Sequence, residues 1–222
     1  WGIMIDISHP STAANMQTIE LSVAPVIASH SSARGLYDHS RNLNDEELMA
    51  VKANGGVVQA VAFRGYVDGD KHSLNREALL RLQASIAGTL GYELLDAPAV
   101  RELNEADRVA YDSRMAEINL LAGPRIASEV DQLAAPVDVK DFVDHIDYMV
   151  NLIGIEHVGI SSDFDGGGGV TGWNDASETF NVTLELVRRA YTEEQIAALW
   201  SGNLLRVLDD VQRIAADIQS RG

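Results

Sequence analysis

Two histidines, His9 and His30, are the residues of this chain best suited to binding a metal ion. They follow the apolar segments Gly2–Ile7 and Pro25–Ser29 and are 21 residues apart. This separation is about one strand–helix–strand step, which would place both imidazoles at the same edge of adjacent strands. Neutral imidazole is a favoured zinc ligand, but a catalytic zinc takes about three protein ligands and keeps one position open. The pair therefore predicts part of a metal site; the alternative is two edge histidines that bond to backbone.

Asp163 is the candidate for proton transfer. It follows the apolar segment His157–Ser162 and precedes Phe164-Asp165-Gly166. A carboxylate beside a metal-activated water can accept its proton and pass it to a leaving amine, which is general acid–base catalysis. The alternative is that Asp163 or Asp165 caps the following glycine-rich loop through backbone amides. For Asp165 we favour this alternative, because aspartate commonly plays that part in turns.

Arg41 is the candidate for substrate binding. It follows His30 by eleven residues, in the same predicted loop, and its planar guanidinium can hold a carboxylate through two hydrogen bonds. Residue type alone slightly favours the alternative, a surface salt bridge. The glycines from Gly166 to Gly169 lack a following Lys-Ser/Thr, so they predict a flexible loop and not a phosphate site. The remaining histidines are interpreted as structural: His39, His72, His145 and His157.

The elements that must position these residues are buried strands that alternate with helices. A further apolar segment, Val57–Phe63, ends before Arg64, so four such segments each stop on a polar side chain. Alternation of strand and helix patterns favours an α/β fold with a parallel sheet. In a (β/α)8 TIM-type barrel the chemistry collects at the carboxyl ends of the strands. The pattern predicts such a barrel, of the metal-dependent hydrolase type, with strands at 2–7, 26–29, 57–63 and 158–161.

Helices are predicted between and after these strands. Ser11 or Thr12 can cap the first, Asn44 with Glu47 forms a capping box for the second, and glycine at position 55 can end it. Helical periodicity over 73–128 predicts a two-helix insertion between the third and fourth strands. Later helices are expected at 138–152, 177–190, after Thr192, and at 204–218. No linker or repeat divides the chain, so residues 1–222 are assigned to one barrel domain.

Composition narrows the classes of function. The 222 residues are 46% hydrophobic, which is sufficient for a sizeable core. The 33 acidic and 17 basic residues give a net charge of −16, which disfavours nucleic acid as a partner. Because cysteine is absent, any transition metal must be bound by histidine and carboxylate. No apolar run approaches the roughly eighteen residues of a membrane helix.

Five motifs in order resemble the renal (membrane) dipeptidase family of zinc peptidases. They are Asp-x-Ser-His at His9, Pro25-Val26-Ile27 leading to Ser29-His30-Ser31, Arg41-Asn42, Asp163-Phe164-Asp165-Gly166, and Gly202-Asn203-Leu204-Leu205-Arg206-Val207. The match runs over nearly the whole chain. The resemblance implies a (β/α)8 barrel that cleaves dipeptides with two zinc ions bridged by a hydroxide. It also suggests a homodimer.

The resemblance assigns a role to each candidate residue. His9 and His30 would bind one of the two zinc ions, Arg41 would hold the carboxyl-terminal part of the dipeptide, and Asp163 would transfer the proton. Tyr66 is a further candidate for substrate contact. The family's first ligands, a His-x-Asp on the first strand and a bridging glutamate, have no counterpart in this chain, nor has a histidine thought to polarise the scissile carbonyl. The chain therefore resembles strands five to eight together with the helical insertion.

This departure predicts that the remaining ligands lie upstream of Trp1 or on a separate chain, since a half barrel would leave two open strand edges. The residues alone would not support binuclear catalysis. Two alternatives stay open. One is another metal-dependent amidohydrolase, acting on a lactam, lactone or cyclic amide, which would not need a free carboxylate. The other is an inactive barrel used as a binding module, which would hold little zinc.

Overall fold

The computed structural model describes residues 1–221. The chain forms two compact units, the first made of residues 1–69 together with the chain from 137 onward, and the second of residues 70–136. Among residues 1–221, every strand and every candidate site residue lies in the first unit. The second unit is helical.

A small parallel sheet forms the centre of the first unit. Its three strands lie side by side in chain order: β1 (Ile27–Ala28), β2 (Val57–Val61) and β3 (Val158–Ser161). The last two pair from Val58 opposite Val158 to Val61 opposite Ser161. The predicted third and fourth strands are thus confirmed, and the second is confirmed in a shorter form. The order follows from the strand–helix alternation, which brings each strand back beside the one before it.

The predicted first strand, Gly2–Ile7, is reduced to one bridge of residue 6 to Ile27. Two backbone hydrogen bonds hold it there, from Ile7 to the carbonyl of Ile27 (2.8 Å) and from Ile27 to the carbonyl of Ile5 (2.9 Å). Residues 1–5 form no strand, so this part of the expectation is wrong; Trp1 and Ile3 are 101% and 75% exposed.

The helices of the first unit begin largely where capping residues predict them. They are α1 (Thr12–Leu21), α2 (Asp45–Asn54), α3 (Arg64–Val67), α7 (Val139–Ile153), α8 (Phe180–Arg188), α9 (Glu193–Ala197) and α10 (Asn203–Ser220). Ser11 caps α1, and the Asn44–Glu47 and Thr192–Gln195 capping boxes are present. Gly55 ends α2 in the left-handed conformation, φ 81°. Short 3-10 turns cover Ile155–His157, Phe164–Gly166 and Ala176–Glu178, and a π turn, Ala198–Gly202, joins α9 to α10.

Both faces of the sheet are packed against helices. On one face Val58 and Ala60 of β2 belong to a buried cluster with residues of α2 and α7, including Phe142. On the other face, Ile27 and Val57 form a separate cluster with Val207 and Val211 of α10. Burial of each such side chain contributes about 1.5–3 kcal/mol. The fold is therefore α/β, rich in helix, with a small parallel sheet; the open half barrel is not confirmed.

The carboxyl-terminal motif is structural. The side-chain amide of Asn203 donates to the carbonyls of Ile155 (2.7 Å) and Val158 (2.8 Å). The guanidinium of Arg206 donates to the carbonyls of Gly55 and Glu156, both at 2.9 Å. These bonds join α10 to the chain that enters β2 and β3. The motif therefore lies at the amino end of the sheet, away from the strand ends that carry the histidines.

The second unit consists of three helices, preceded in sequence by α3. They are α4 (Gly69–Leu90), α5 (Ala97–Glu102) and α6 (Glu105–Arg125), followed by a π turn, Ile126–Val130. Leu82, Ile86 and Ile118 form its core. The helical periodicity predicted over 73–128 is confirmed, and the short α5, capped by Asp96, was not expected. Its status as an insertion in one barrel domain stays a prediction. Across the described residues no helix is both long and apolar enough to cross a membrane.

His145 on α7 is a buried structural histidine, as the sequence suggested. Its exposed fraction is 1%. Nδ1 accepts the backbone N–H of Ala33 (3.1 Å), and Nε2 therefore carries the proton and donates to the carbonyl of Val67 (2.9 Å). Burial lowers the pKa of His145 below its ordinary value, against the opposing hydrogen bond to Val67. The imidazole is thus held neutral.

The His145→Gln substitution should make stability less sensitive to acid. Because the pKa of His145 is lower in the folded chain, its neutral form stabilises the fold above about pH 6.5, and this contribution is lost as the pH falls through the folded value. Urea denaturation at about pH 7.5 and about pH 5 should show that the wild-type advantage over the variant shrinks at the lower pH. An equal advantage at both values would contradict this account.

Candidate metal centre and active site

The two predicted metal ligands meet at the carboxyl end of the sheet. The Nε2 atoms of His9 and His30 are 2.8 Å apart, and the rings lie edge to face with centroids 4.8 Å apart. Each histidine follows its own sheet segment by a few residues, so the parallel bridge to Ile27 brings them together. One of the two nitrogens must carry a proton in this contact, and the other must accept it.

Asp6 joins the two segments that carry the histidines. Its Oδ1 accepts the backbone N–H groups of Ser8 (3.1 Å) and Ser29 (3.0 Å), and its Oδ2 accepts the hydroxyl of Ser29 (2.6 Å). Burial disfavours the charged form, but the hydrogen bonds from Ser29 and Ser8 outweigh it, so the pKa of Asp6 is lowered. The carboxylate therefore fixes the spacing between the two strand ends.

His30 is held through three of its atoms. Its Nδ1 bonds to the hydroxyl of Ser29 (2.7 Å), its backbone N–H donates to the hydroxyl of Ser8 (2.9 Å), and its Nε2 faces His9. Burial lowers the pKa of His30; the Asp163 carboxylate opposes this, and Arg41 and His9 add to it. The imidazole is therefore biased toward the neutral form that a metal requires.

Arg41 lies beside this pair. Its Nε donates to the carbonyl of Ser8 (3.2 Å), and its guanidinium lies over the ring of Tyr66, 5.4 Å from the centroid. Its Nη2 is buried and has no hydrogen-bond partner among the described residues. Within that same part of the chain Arg41 makes no ion pair, so the surface salt bridge considered from the sequence is not formed. The guanidinium keeps an unused donor next to His30.

A stack of three rings supports Arg41 and was not predicted as a unit. Tyr66 lies between His39 and Phe63, with centroid distances of 4.5 and 4.2 Å. The Nδ1 of His39 also accepts the backbone N–H of Arg41 (3.1 Å). The side chain of Asn42 donates to the carbonyl of Tyr66 (2.7 Å). This bond ties the backbone of Tyr66 to the loop that carries Arg41. His39 is therefore structural, but it acts directly on Arg41.

Asp163 lies in a strained turn directly after β3. Its backbone is left-handed (φ 53°), a conformation uncommon outside glycine but tolerated by aspartate. The amides of Gly166 (3.0 Å) and Gly168 (2.7 Å) donate to its carbonyl. The loop is thus capped by the backbone of Asp163, and no side-chain bond of Asp165 contributes in the described chain. The carboxylate is near enough to His30 to act on its charge.

The residues that sequence reasoning missed are those that hold the candidates in place. Asp6 and Ser29 stood in the quoted motifs without a role, and their function depends on a contact between strands 23 residues apart. Arg64 is the first residue of α3, three residues after the end of β2; it donates to the side-chain oxygen of Asn174 at 2.5 Å, and burial lowers its pKa. The only sequence signal for these residues was their position at strand ends.

The histidine pair fits a metal ion in two respects. Two nitrogens bound to one zinc at about 2.0–2.1 Å are at most about 4 Å apart, and the observed Nε2 separation of 2.8 Å lies within that limit. The other ring nitrogen of His30 is hydrogen-bonded, as is usual for metal-binding histidines. Over residues 1–221, no three His, Asp or Glu side chains are grouped as a metal site. The described residues thus offer two ligands.

Comparison with known proteins decides the family. The sequence model of the family described as membrane dipeptidase (peptidase family M19) matches residues 1–222. The chain belongs to this family. The resemblance inferred from the five motifs is confirmed.

Relatives of the membrane dipeptidase family extend this result. The dipeptidase ataJ of Aspergillus terreus is 30% identical over 222 residues, which are 100% of this chain and 39% of the relative. A crystal structure of the probable dipeptidase PvdM from Pseudomonas aeruginosa is 38% identical, with a TM-score of 0.66, covering 96% of this chain and 51% of that one.

A metallopeptidase from Rhodobacter sphaeroides shares the fold. It is 20% identical, with a TM-score of 0.63, and covers 95% of this chain and 43% of its own. That structure holds a phosphinate mimic of the dipeptide L-Ala-D-Ala. This chain therefore spans between about two fifths and one half of the length of these three proteins.

The Gly168→Ala substitution should destabilise the turn that carries Asp163. A Cβ at this position would overlap the carbonyl oxygen of Ser162 and lie 2.7 Å from that of Asp163, and backbone atoms cannot move aside as a flexible side chain can. Overpacking of this kind costs about 1–3 kcal/mol. Urea denaturation should show the loss. Gly65→Ala is the matched control, since its Cβ would make only an ordinary contact of 3.7 Å with Phe63; equal effects in both variants would refute the argument.

Proposed function

We propose that the protein is a zinc-dependent dipeptidase that hydrolyses the peptide bond of dipeptides. The observation that carries the proposal is the convergence of the His9 and His30 Nε2 atoms, 2.8 Å apart, at the strand ends beside Asp163 and Arg41. The family supplies the reaction class. When bound, a pair of zinc ions would activate the hydrolytic water and polarise the scissile carbonyl.

His9 and His30 would hold one of the zinc ions. The case for this role is chemical, because both present a ring nitrogen to the same point and neutral imidazole is a favoured zinc ligand. The hydrogen bond of His30 to Ser29 and the bonds of Asp6 to both segments restrict the motion of the rings. Such preorganisation is what a metal centre requires of its surroundings.

Arg41 would bind the terminal carboxylate of the dipeptide. The supporting observation is its buried Nη2, which has no acceptor in the described chain. A buried donor without a partner costs about 1–3 kcal/mol, and a substrate carboxylate would remove that cost. The contact with Tyr66 and the bond to the carbonyl of Ser8 fix the direction in which the guanidinium points.

Asp163 would move the proton. Its carboxylate would take a proton from the attacking water and pass it to the nitrogen of the departing amine. The turn formed with Gly166 and Gly168 holds the residue at the end of β3. A left-handed backbone at a functional residue is a known form of stored strain, and here it would serve to direct the side chain toward His30.

The complete site would need ligands beyond those described. Two imidazoles are fewer than the about three protein ligands that a catalytic zinc takes. We therefore propose that a further polypeptide segment, completing a (β/α)8 barrel, supplies the remaining ligands of two zinc ions, and that the active molecule is a homodimer. The two alternatives, a lactam-type amidohydrolase and an inactive binding module, have no specific observation in their favour.

The Arg41→Gln substitution should weaken binding of substrates with a free carboxylate. Loss of a charge-assisted hydrogen bond of about 1.5–3 kcal/mol raises KM by about 10- to 150-fold. For a dipeptide whose terminus is a carboxamide, the variant and the wild type should differ little. The control is Arg213→Gln, an exposed arginine on α10 that pairs with Asp210. If KM for the amide substrate rises as much as KM for the acid, Arg41 does not bind the carboxylate.

The proposed function is tested on the protein that includes the further polypeptide segment, by measuring zinc content and dipeptide hydrolysis of wild type and Asp163→Asn. We expect bound zinc in both proteins, loss of activity when a chelator removes it, and a kcat about 10²- to 10⁴-fold lower in Asp163→Asn. Asp165→Asn is the control and should keep wild-type kcat. If the wild-type protein contains no zinc or cleaves no dipeptide, the proposed function is refuted. An active Asp163→Asn would remove only the role of that residue.

A further inference from the structure

We propose that Asp6 is a positioning residue that acts through Ser29 to keep the proton of His30 on Nδ1, so that Nε2 is left as an electron-pair donor. The importance of this arrangement for metal binding rests on the proposed function. The direction of the hydrogen bonds rests on the geometry alone.

The direction of each hydrogen bond from Asp6 through Ser29 to His30 follows from counting the protons that these three side chains carry. An ionised carboxylate only accepts hydrogen bonds, so the contact of 2.6 Å between Asp6 Oδ2 and Ser29 Oγ uses the hydroxyl proton of Ser29. A hydroxyl has a single proton. In its contact of 2.7 Å with His30 Nδ1, Ser29 Oγ must therefore accept, and Nδ1 must carry the proton. Neutral His30 then presents a lone pair at Nε2, toward His9.

A second pair of bonds fixes which oxygen of Asp6 faces Ser29. Asp6 Oδ1 accepts the backbone N–H groups of both Ser8 and Ser29, at 3.1 and 3.0 Å. These two donors come from neighbouring strand ends, so the atom that faces both of them must be an acceptor. The carboxylate is thereby held with Oδ2 toward the hydroxyl of Ser29.

For the same reason, the Asp6→Asn substitution would reverse the direction of the hydrogen bond to Ser29 and not simply remove it. In the variant the amide oxygen must face the two backbone N–H groups, which leaves the NH₂ group opposite Ser29 Oγ. Ser29 Oγ would then accept from Asn, and its proton would turn to Nδ1 of His30, at 2.7 Å a closer acceptor than Ser8 Oγ at 3.4 Å. The proton of the neutral imidazole would have to move to Nε2, the atom that faces His9. Metal binding by His30 would be weakened, because the proton would first have to leave the ligand atom.

The test reads the tautomer of His30 directly. Protein labelled with ¹⁵N is freed of metal with a chelator, and two-bond ¹H–¹⁵N correlation spectra are recorded at about pH 8, where imidazole is neutral. The His30 signals are assigned by their loss in His30→Gln. We expect Nδ1–H in the wild type and in Ser29→Thr, and Nε2–H in Asp6→Asn. Ser29→Ala removes the hydroxyl between Asp6 and His30 without reversing its hydrogen bonds, so it should give a mixture of the Nδ1–H and Nε2–H tautomers of His30. Asp96→Asn, a helix-capping position where asparagine serves equally well, is the charge-matched control and should match wild type.

Zinc affinity gives a second readout that does not depend on turnover. Competition with a chromophoric chelator should show zinc binding about 10- to 100-fold weaker in Asp6→Asn, the usual effect of losing a residue that orients a metal ligand, with no change in Asp96→Asn. An Nε2–H tautomer in the wild type, or an unchanged tautomer in Asp6→Asn, would overturn the proposal, as would a tautomer change with unaltered zinc affinity. If the tautomer switches as expected but the protein cleaves no dipeptide, the role of Asp6 and Ser29 in placing the His30 proton stands. Only the proposed function is then refuted.

Discussion

The site depends on one constraint: strands that pair in parallel and in chain order all end at the same edge of the sheet. β1, β2 and β3 follow this order, and the segment before β1 joins it through the bridge between residue 6 and Ile27. His9, His30 and Asp163 each follow one of these segments by only a few residues. Each group of the site therefore comes from a different element, and strand pairing together with the bonds of Asp6 sets the distances between the strand ends.

The two ends of the sheet carry different kinds of bonds. At the amino end, Asn203, Arg206 and His157 satisfy backbone carbonyls of the turns that lead into the strands. At the carboxyl end, the polar side chains bond to backbone groups and also to one another, and Arg41 retains an unused donor. This division is general in barrel proteins, where the amino face contributes stability and the carboxyl face contributes chemistry. A sequence motif shared with a family can therefore stabilise the fold without taking part in catalysis. The motif around Asn203 is an example.

Local signals were sufficient to predict local structure. The capping boxes at Asn44 and Thr192 need only residues three apart, and both are present as expected. The first strand was overestimated because strand formation depends on partners that the sequence pattern does not contain. The meeting of His9 and His30 was predictable from strand spacing. The contacts of Asp6 with Ser29, and of Tyr66 with Arg41, were not, because they depend on loop paths and distances between separate strands.

The ring stack has a consequence for substrate length. The ring of Phe63 lies against the Gly167 position of the turn after Asp163, and Tyr66 and His39 continue the stack to Arg41. The separation between Arg41 and the turn of Asp163 is thus spanned by rigid aromatic rings rather than by flexible side chains. Under the roles proposed for Arg41 and Asp163, such a span would not lengthen to admit a longer peptide, which would favour substrates of two residues over those of three.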